Sequence, residues 1–396
     1  MDFTFSEIEE AYRAEVRSWL AQNIPDWWRD ADPDERAGDD YFEQHRAWHR
    51  ELYHAGHVGI TWPVEFGGQG RTQLENAILQ QELARAEAPP TVNGSGIGLC
   101  GPALMHHGSP EQREEHLLPM LRAERIWCQG YSEPGAGSDL ANLQTRAELV
   151  GNRYFVNGQK IWTSGAHHAD WIFCLVRTDP EAERHGGIGF LLIDMKSPGI
   201  EVRPLVQITG NRDFNETFFT DVEVPAENIV GEPTEGWRVS NTVLSYERGA
   251  NTLSRYLAYE RSMDRIADLA RQTKRHGRRA SEDPVFRQDF AQTAMEVEIL
   301  RLSSLRSLSL LAQGEKPGPE SSTTKLYRSE LDHRLSRLGN SLTGPYGQLW
   351  KGTARAVDRG HWGQRQLQSC GGTIAAGTSE IQRNIISERV LGLPRR

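Results

Sequence analysis

The chain has 396 residues, of which 25% are charged and 37% hydrophobic, and its net charge is −9 at pH 7. That length suffices for two or three packed units with a buried core. The acidic balance argues against nucleic acid or an anionic membrane as the main partner, and no apolar run approaches the ~20 residues of a membrane-spanning helix.

The first 125 residues have the pattern of a helical region. The Ser-Pro-Glu-Gln segment at 109–112 supplies a clear helix start, with serine at the N-cap, proline at N1 and glutamine at N3. Leucines at helical spacing follow it. The segment 62–68, which contains proline and glycine, predicts a loop between helices. An N-terminal helical domain is therefore predicted over residues 1–125.

From residue 126 to 235 the chain changes to short apolar runs rich in β-branched and aromatic residues, which predict strands. A Gly151-Asn152 turn separates the first two runs, and Asn157-Gly158 lies between the next two. Asn-Gly between apolar runs is the strongest short-range hairpin signal, so a turn is predicted there. These patterns predict a mostly antiparallel middle β domain over residues 126–235. The predicted strands cover 145–150, 154–156, 160–162, 171–176, 188–193 and 216–224.

After Gly236 the helical pattern returns, with leucines at three- and four-residue spacing. A final helix is predicted to begin around Thr378–Ser379 and to end at Gly392 and Pro394. These segments predict a C-terminal domain over residues 236–396 that resembles a four-helix bundle. The chain as a whole is predicted to be α+β, mostly α. The longer predicted helices lie near 236–276, 284–314 and 317–346.

Cysteine and histidine usage gives no sign of a metal site or a disulfide framework. The four cysteines are far apart along the chain and form no CxxC pair. Adjacent histidines at 106–107 and 167–168 point in different directions and are expected to be structural. The N-terminus lacks the basic region of a signal peptide. A cytoplasmic protein without a bound metal is predicted.

Three segments carry residue types that suit the binding of a cofactor. The first, at 130–140, reads Gly-Tyr-Ser-Glu-Pro-Gly-Ala-Gly-Ser-Asp-Leu, and its glycines let the backbone approach a flat or charged ligand. The second, at 157–165, reads Asn-Gly-Gln-Lys-Ile-Trp-Thr-Ser-Gly. The third, at 377–383, reads Gly-Thr-Ser-Glu-Ile-Gln-Arg and opens a helix, whose free N–H groups favour anions.

Together these segments resemble the acyl-CoA dehydrogenase family of flavoproteins, and the resemblance extends over essentially the whole chain. It implies an N-terminal helical domain, a middle antiparallel β domain and a C-terminal helical bundle. It also implies FAD-dependent α,β-dehydrogenation of an acyl-CoA thioester to the trans-2-enoyl-CoA. In this reaction a base removes the α-proton and the flavin N5 accepts the β-hydrogen as hydride.

The resemblance implies cofactor contacts in all three segments. Tyr131 and Ser132 would border the isoalloxazine, Trp162 would pack against it, and Ser164 would form a hydrogen bond near N5. By their residue types alone, Ser132 also suits a turn cap and Trp162 a core position. The third segment also suits an ordinary capped helix that uses Ser379 and Gln382. The FAD-binding residues implied are Tyr131, Ser132, Trp162, Thr163, Ser164, Thr378 and Glu380.

The position of the catalytic base separates two branches of the family. Many members place a glutamate directly before the Gly-Thr of the last helix, where this chain has Ala376. A minority branch, including the isovaleryl- and long-chain-type enzymes, places it before an arginine on an earlier helix, and Glu247-Arg248 matches that pattern. The resemblance then implies Glu247 as the base; a surface glutamate paired with an arginine is the alternative. The implied substrate contacts are Ser138, Arg248 and the backbone of Ala376.

Two segments depart from the family pattern at contacts that relatives make between subunits. An Arg-x-x-Phe-Gly motif that meets the FAD pyrophosphate is missing from 271–284, and a Gly-Gly-x-Gly-Tyr segment is shortened at 370–373. A homo-oligomer or a heterotetramer with a related subunit is expected, with an electron-transfer flavoprotein as acceptor. The alternatives are a partner subunit that completes another chain's site, and a flavin oxidase or tailoring enzyme acting on a non-CoA or carrier-bound substrate.

Overall fold

The computed structural model describes residues 5–30, 41–247, 252–275, 277–314 and 318–395, without the side chains of 244–247 and 252–254. Along the chain, helices come first, strands follow in the middle, and helices return at the end. The predicted α+β, mostly α architecture is therefore confirmed. None of the helices in these ranges has both the length and the apolar character needed to cross a bilayer.

The helices follow the apolar spacing of the sequence. The predicted start at Ser109 is confirmed, because its Oγ accepts a hydrogen bond from the N–H of Gln112 at 3.2 Å and the Gln112 side chain accepts one in return at 3.0 Å. The predicted helix 236–276 is found as two helices, with residues 248–251 between them outside the described ranges. In chain order the helices are α1 Glu7–Asn23, α2 Asp26–Arg29, α3 Phe42–His54, α4 Gln73–Arg85, α5 Gly101–His107, α6 Pro110–Leu121, α7 Gly236–Glu247, α8 Thr252–Gln272, α9 Pro284–Ala312, α10 Ser321–Ser341, α11 His361–Gly372 and α12 Ser379–Ile385.

Seven strands of the described chain form one sheet in the middle of the sequence. The strand order is β1-β4-β2-β3-β7-β6, and β5 pairs with β4. Most pairs are antiparallel as predicted, but β1–β4 and β2–β4 are parallel. The basic run at 274–279 forms a separate small hairpin of β8 and β9. The strands are β1 Trp127–Gly130, β2 Arg146–Val150, β3 Arg153–Ser164, β4 Trp171–Arg177, β5 Ile188–Asp194, β6 Ile200–Leu205, β7 Phe214–Pro225, β8 Lys274–Arg275 and β9 Arg278–Arg279.

The turn predicted at Asn157-Gly158 is wrong, because β3 runs through it without interruption. The chain reverses earlier, at Gly151–Asn152, between β2 and β3. Gly158 has a φ of 152° at a bulge in the β3–β7 pairing, where a Cβ would lie 2.7 Å from the Cα of Thr145. The Asn157 side chain bonds Asp221 on β7. Asparagine and glycine are therefore used here for a strand bulge and not for a reversal.

The described chain separates into two compact units. The first unit contains Met1–Ile24, Gln73–Ala88 and Ala250–Arg396, and the second contains Pro25–Thr72 and Pro89–Gly249. The first is built mainly from helices and includes the β8–β9 hairpin. The second holds the seven-stranded sheet together with α2, α3, α5, α6 and α7. The domain bounds 1–125, 126–235 and 236–396 stay a prediction.

A buried carboxylate, Glu82 of α4, joins α4 to α1 in the first unit. It accepts hydrogen bonds from Arg13 at 3.1 Å, from Arg17 at 2.9 Å and from Arg85 at 2.8 Å. Burial raises the pKa of Glu82, but the hydrogen bonds and charges of the arginines outweigh this effect and leave its pKa lowered. Arg13 is itself buried and also donates to Gln81 at 3.0 Å. One ionised glutamate therefore compensates the charge of a buried arginine.

Two buried histidines of the second unit are held in their neutral form. The Nε2 of His49 lies 3.0 Å from the carbonyl oxygen of Leu121, so Nε2 carries the proton. The Nδ1 of His116 lies 2.9 Å from a guanidinium nitrogen of Arg125, which can only donate, so Nδ1 is an acceptor. Burial lowers the pKa of His49 to about 4 and that of His116 to about 4.

These histidines predict that the protein loses stability between pH 6.5 and pH 5. Their pKa is lower in the folded chain than in the unfolded chain, so the unfolded state binds more protons as the pH falls. At pH 5 each histidine lowers the free energy of unfolding by about 2 kcal/mol relative to pH 7. Urea unfolding at the two pH values measures this loss. His49→Gln, whose amide can still donate to Leu121, should show about half the pH dependence; equal dependence in both proteins would contradict the assignment.

Candidate functional site

The glycine-rich loop after β1 presents small residues at the surface of the second unit. Ser132 is partly exposed and Ser138 is exposed, and a Cβ added at Gly135 or Gly137 would meet no atom within 4 Å. Tyr131, by contrast, is buried. Its ring packs edge-on against two phenylalanine rings of the neighbouring strands, at centroid distances of 5.9 and 6.5 Å. The loop therefore begins at a buried tyrosine, and its glycines and Ser138 lie exposed beyond it.

Trp162 lies on a bulge of β3 that turns its side chain outward. The pairing of β3 with β7 shifts register between Lys160 and Thr163, and Trp162 has a φ of 62°. Its indole is 58% exposed and contacts the Phe214 ring edge-on at 6.0 Å. A left-handed conformation costs a non-glycine residue about 1–3 kcal/mol and is typical of functional sites. The second predicted segment is therefore built around an exposed aromatic ring on strained backbone.

The two residues that follow Trp162, Thr163 and Ser164, differ in exposure. Ser164 is exposed, whereas the Thr163 side chain is fully buried and its hydroxyl has no hydrogen-bond partner among the described residues. The Thr163 carbonyl oxygen accepts a hydrogen bond from the Asn215 amide at 3.0 Å. The bulge therefore leaves the Trp162 ring and the Ser164 hydroxyl accessible, while the Thr163 side chain is enclosed.

The first two segments are brought together by direct hydrogen bonding. The N–H of Ile161, on β3, donates to the carbonyl oxygen of Ser132 at 2.9 Å. Ser132 is thus fixed beside the residue that precedes Trp162. A flat aromatic ligand suits this arrangement, since the exposed indole offers a stacking surface and the adjacent glycines leave room for close approach. The described residues therefore fit an isoalloxazine ring.

The third segment belongs to the first unit and begins α12. Thr378 is its N-cap, with Oγ1 accepting from the N–H of Ile381 at 3.2 Å, so the cap lies one residue before Ser379, the predicted capping residue. Glu380 is exposed, and hydrogen bonds from its own backbone N–H and from the Thr378 side chain lower its pKa. The predicted start of the helix is confirmed. The helix continues from α12 through a π-helical turn, Ile386–Val390, and ends directly before Gly392, which has a φ of 67°, as predicted.

The turn before α12 has two successive residues in the left-handed conformation. Ala376 has a φ of 53° and Gly377 a φ of 83°. The Nζ of Lys325 donates to the carbonyl oxygen of Gly377 at 2.7 Å, and the Gln382 amide donates to that of Ala376 at 3.1 Å. These two side chains therefore hold the two peptide groups that follow the N–H of Ala376.

The candidate base lies at the end of α7. Glu247 is the last residue of this helix, but its side chain and the whole of Arg248 lie outside the described residues. The body of α7 is well anchored, with Val239 and Val243 buried. His107 of α5 lies 2.8 Å from the Thr242 hydroxyl of α7, and burial lowers its pKa. The structure therefore positions the helix that carries Glu247, while the roles of Glu247 and Arg248 stay predictions.

Sequence analysis missed a π-helical turn, Gly96–Cys100, that packs against α7. Asn93 fixes its start by donating to the carbonyl oxygens of Met120 and Arg125 and accepting from the N–H of Trp127. π-Helical turns are frequent at functional sites. The glycines at 94, 96, 98 and 101 are the sequence feature that could have indicated an irregular helix here. Elsewhere, no three His, Cys, Asp or Glu side chains of the described ranges come together in a way that could hold a metal ion.

Comparison with known proteins identifies the family. Profiles of the acyl-CoA dehydrogenase N-terminal, middle and C-terminal domains match residues 6–124, 128–222 and 234–391. The acyl-CoA dehydrogenase IpdE1 of Mycolicibacterium smegmatis is 40% identical over 401 residues, covering 98% of each chain. The chain belongs to the acyl-CoA dehydrogenase family. It is accordingly an FAD-dependent oxidoreductase that acts on acyl-CoA.

Solved structures of the same family share the fold over the full length. The structure named Tcur3481-Tcur3483 steroid ACAD superimposes with a TM-score of 0.87 at 31% identity, covering 100% of both chains. The ChsE4-ChsE5 complex from Mycobacterium tuberculosis gives a TM-score of 0.86 at 32% identity, also covering 100% of both chains. The helical, β and helical order of this chain is therefore that of the acyl-CoA dehydrogenases.

Proposed function

We propose that this chain is the catalytic subunit of an acyl-CoA dehydrogenase that forms the trans-2-enoyl-CoA, with Glu247 as the base. The observation that carries the proposal is the pairing of the open glycine loop with the exposed Trp162 in a full-length family member. FAD, when bound, accepts the β-hydrogen as hydride. An acid–base group is needed at the α-carbon, and the alanine at position 376 cannot supply one.

Glu247 removes the α-proton in this proposal. An ordinary glutamate, with a pKa near 4.3, is a weak base for a thioester α-proton. Contact with an apolar acyl chain would raise that pKa by desolvation. The N–H of Ala376 would donate to the thioester carbonyl oxygen and stabilise the negative charge that develops there. The turn that carries this N–H is held just after it, because Gln382 and Lys325 donate to the carbonyl oxygens of Ala376 and Gly377.

The cofactor contacts that we propose lie in three segments of the chain. In the second unit, Tyr131 and Ser132 border the isoalloxazine, the Trp162 ring stacks on it, and Ser164 donates near N5. Thr163 contributes through its backbone, because its side chain is buried. In the first unit, the N-cap segment Thr378–Glu380 meets a polar part of FAD. Ser138 and Arg248 contact the CoA thioester.

A related subunit completes the enzyme in this proposal. The segment 271–284 lacks the family's Phe-Gly and instead holds the basic hairpin of β8 and β9. One similar solved structure is described as a complex of two named proteins, and another carries two protein names. A heterotetramer, in which this chain supplies Glu247 and the partner supplies part of the FAD site, accounts for the departure. Electrons then pass to an electron-transfer flavoprotein.

A bulky, steroid-derived acyl group is the substrate class we infer. A similar structure is named a steroid acyl-CoA dehydrogenase. The chain has small residues where a large acyl group needs space: Gly249 and Ala250 follow the base, and a Cβ at Gly94 or Gly98 would meet no atom within 4 Å. Both glycines flank or belong to the π-helical turn that packs against α7.

An anaerobic titration tests the proposal. The purified protein, alone and with a related subunit, is mixed with straight-chain, branched, aromatic and steroid-derived acyl-CoA thioesters while the flavin absorbance is followed. Bleaching by the steroid-derived thioesters, with little effect of short straight chains, is the expected result. Binding of FAD only in the presence of the second subunit would support the heteromer. A flavin that is bound but reduced by none of the thioesters would contradict the proposed reaction.

A further inference from the structure

We infer that Lys160 and Glu133 are positioning residues, whose buried ion pair sets the distance between the glycine loop and the Trp162 bulge. The inference rests on the proposed function, since it takes Tyr131, Ser132 and Trp162 as the flavin contacts. Lys160 lies two residues before Trp162 on β3, and Glu133 directly follows Ser132 in the loop.

Lys160 connects the two segments from inside the protein. Its side chain is fully buried. Its Nζ donates to Glu133 Oε1 at 2.8 Å and to the carbonyl oxygen of Tyr131 at 3.1 Å. The adjacent N–H of Ile161 donates to the Ser132 carbonyl oxygen. Two successive carbonyl groups of the loop are therefore held by two successive residues of β3.

Glu133 extends the connection to a third stretch of chain. Its carboxylate accepts the backbone N–H of Gln144 at 2.6 Å and that of Thr145 at 2.9 Å. Its own backbone N–H and C=O form a reciprocal pair with Ala136, at 3.0 Å each, which closes the loop. Burial raises the pKa of Glu133, but Lys160 and these donors outweigh the effect and lower it. The group is therefore a carboxylate that accepts hydrogen bonds from three donors.

The ion pair is poorly explained by stability alone. Taking two charges out of water costs several kcal/mol per ion, and apolar side chains of similar volume often stabilise a core equally well. Apolar residues here would leave the Tyr131 carbonyl and the N–H groups of Gln144 and Thr145 without these partners. What the ion pair provides is a fixed distance between Ser132 and the bulge at Trp162. Residues that bind a rigid ring must hold such a spacing to about 0.5 Å.

Replacing Lys160 with methionine tests this inference. FAD is titrated into the deflavinated full-length protein, assembled with its partner subunit if the complex is the form that binds, and the Kd and the visible flavin spectrum are recorded. We expect Lys160→Met to weaken FAD binding about 10-fold or more and to shift the flavin absorption bands. Glu133→Gln, which keeps the shape of the side chain, should act in the same direction and serves if Lys160→Met does not fold.

Two controls separate positioning from general loss of stability. Glu82→Gln removes the charge of a buried carboxylate in the other compact unit, so it should lower the thermal midpoint but leave the FAD Kd and the spectrum unchanged. Trp162→Ala removes a proposed flavin contact directly and should weaken FAD binding. An unchanged Kd and spectrum in Lys160→Met, or changes no larger than those of Glu82→Gln, would overturn the inference. If both Lys160→Met and Trp162→Ala bind FAD normally, the proposed flavin site is wrong as well as the inference. If Trp162→Ala binds FAD weakly but Lys160→Met binds it normally, only the inference about Lys160 and Glu133 is wrong.

Discussion

Replacing Glu247 with glutamine should lower the rate of flavin reduction by at least about 100-fold, while FAD content and the thermal midpoint stay unchanged. Glutamine keeps the shape of the side chain but cannot accept the α-proton. A positioned general base contributes roughly 10²- to 10⁴-fold to a rate, which sets the expected size of the loss. Stopped-flow measurement of flavin bleaching by a bound acyl-CoA, without oxygen, reports this step directly.

Glu235→Gln provides the matched control, because Glu235 directly precedes α7 and forms an exposed ion pair with Arg238 at 2.7 Å. Removing that surface carboxylate should leave the rate of flavin reduction within about twofold of wild type, since exposed pairs contribute little. A near-normal rate in Glu247→Gln would remove Glu247 as the base. A carboxylate of the partner subunit would then be the next candidate for the base.

Replacing Glu82 with alanine should lower the free energy of unfolding by about 3 kcal/mol or more. The change leaves the buried Arg13 without its buried carboxylate partner, and breaking a buried pair by removing one member typically costs 3–5 kcal/mol. The two other arginines lose a partner as well, but both are more exposed and contribute less. Urea unfolding at pH 7, where the carboxylate is ionised, measures the loss.

Glu10→Ala gives a comparison for this variant, because Glu10 contacts the same Arg13 at 3.3 Å from an exposed position. Its effect should lie within about 0.5 kcal/mol. Since the pKa of Glu82 is lowered in the folded protein, its contribution is present above the unfolded pKa and disappears as the pH falls through the folded value. A loss below about 1 kcal/mol for Glu82→Ala would show that Arg13 is stabilised in another way.

The features that sequence predicted well depend on neighbouring residues. The helix start at Ser109 is decided within four residues, and its capping box is present. The segments 130–140, 157–165 and 377–383 carried the family resemblance, and the full-length comparisons confirm the family. The Asn157-Gly158 turn failed because its outcome depends on Thr145, directly before β2, and on Asp221 of β7.

The ion pair of Lys160 with Glu133 could not be predicted for a related reason. Its members are 27 residues apart, and only the sheet arrangement brings the strand and the loop together. The outward turn of Trp162 depends on a register shift against β7, which no periodicity in the sequence reports. Long-range pairing therefore decides the parts of the site that local patterns leave open.

The composition of the first compact unit also bears on how the chain folds during synthesis. Helices α1 and α4 leave the ribosome early, but they belong to the same unit as α8, which packs on α4 and donates from Arg261 to the carbonyl oxygen of Ala84 at 2.7 Å. More than half of the chain must be synthesised before α8 is available to complete the unit that contains these two helices. Contacts of such sequence separation slow folding. A nascent chain released at residue 125 would therefore expose the face of α4 that α8 covers, and would be a substrate for chaperones.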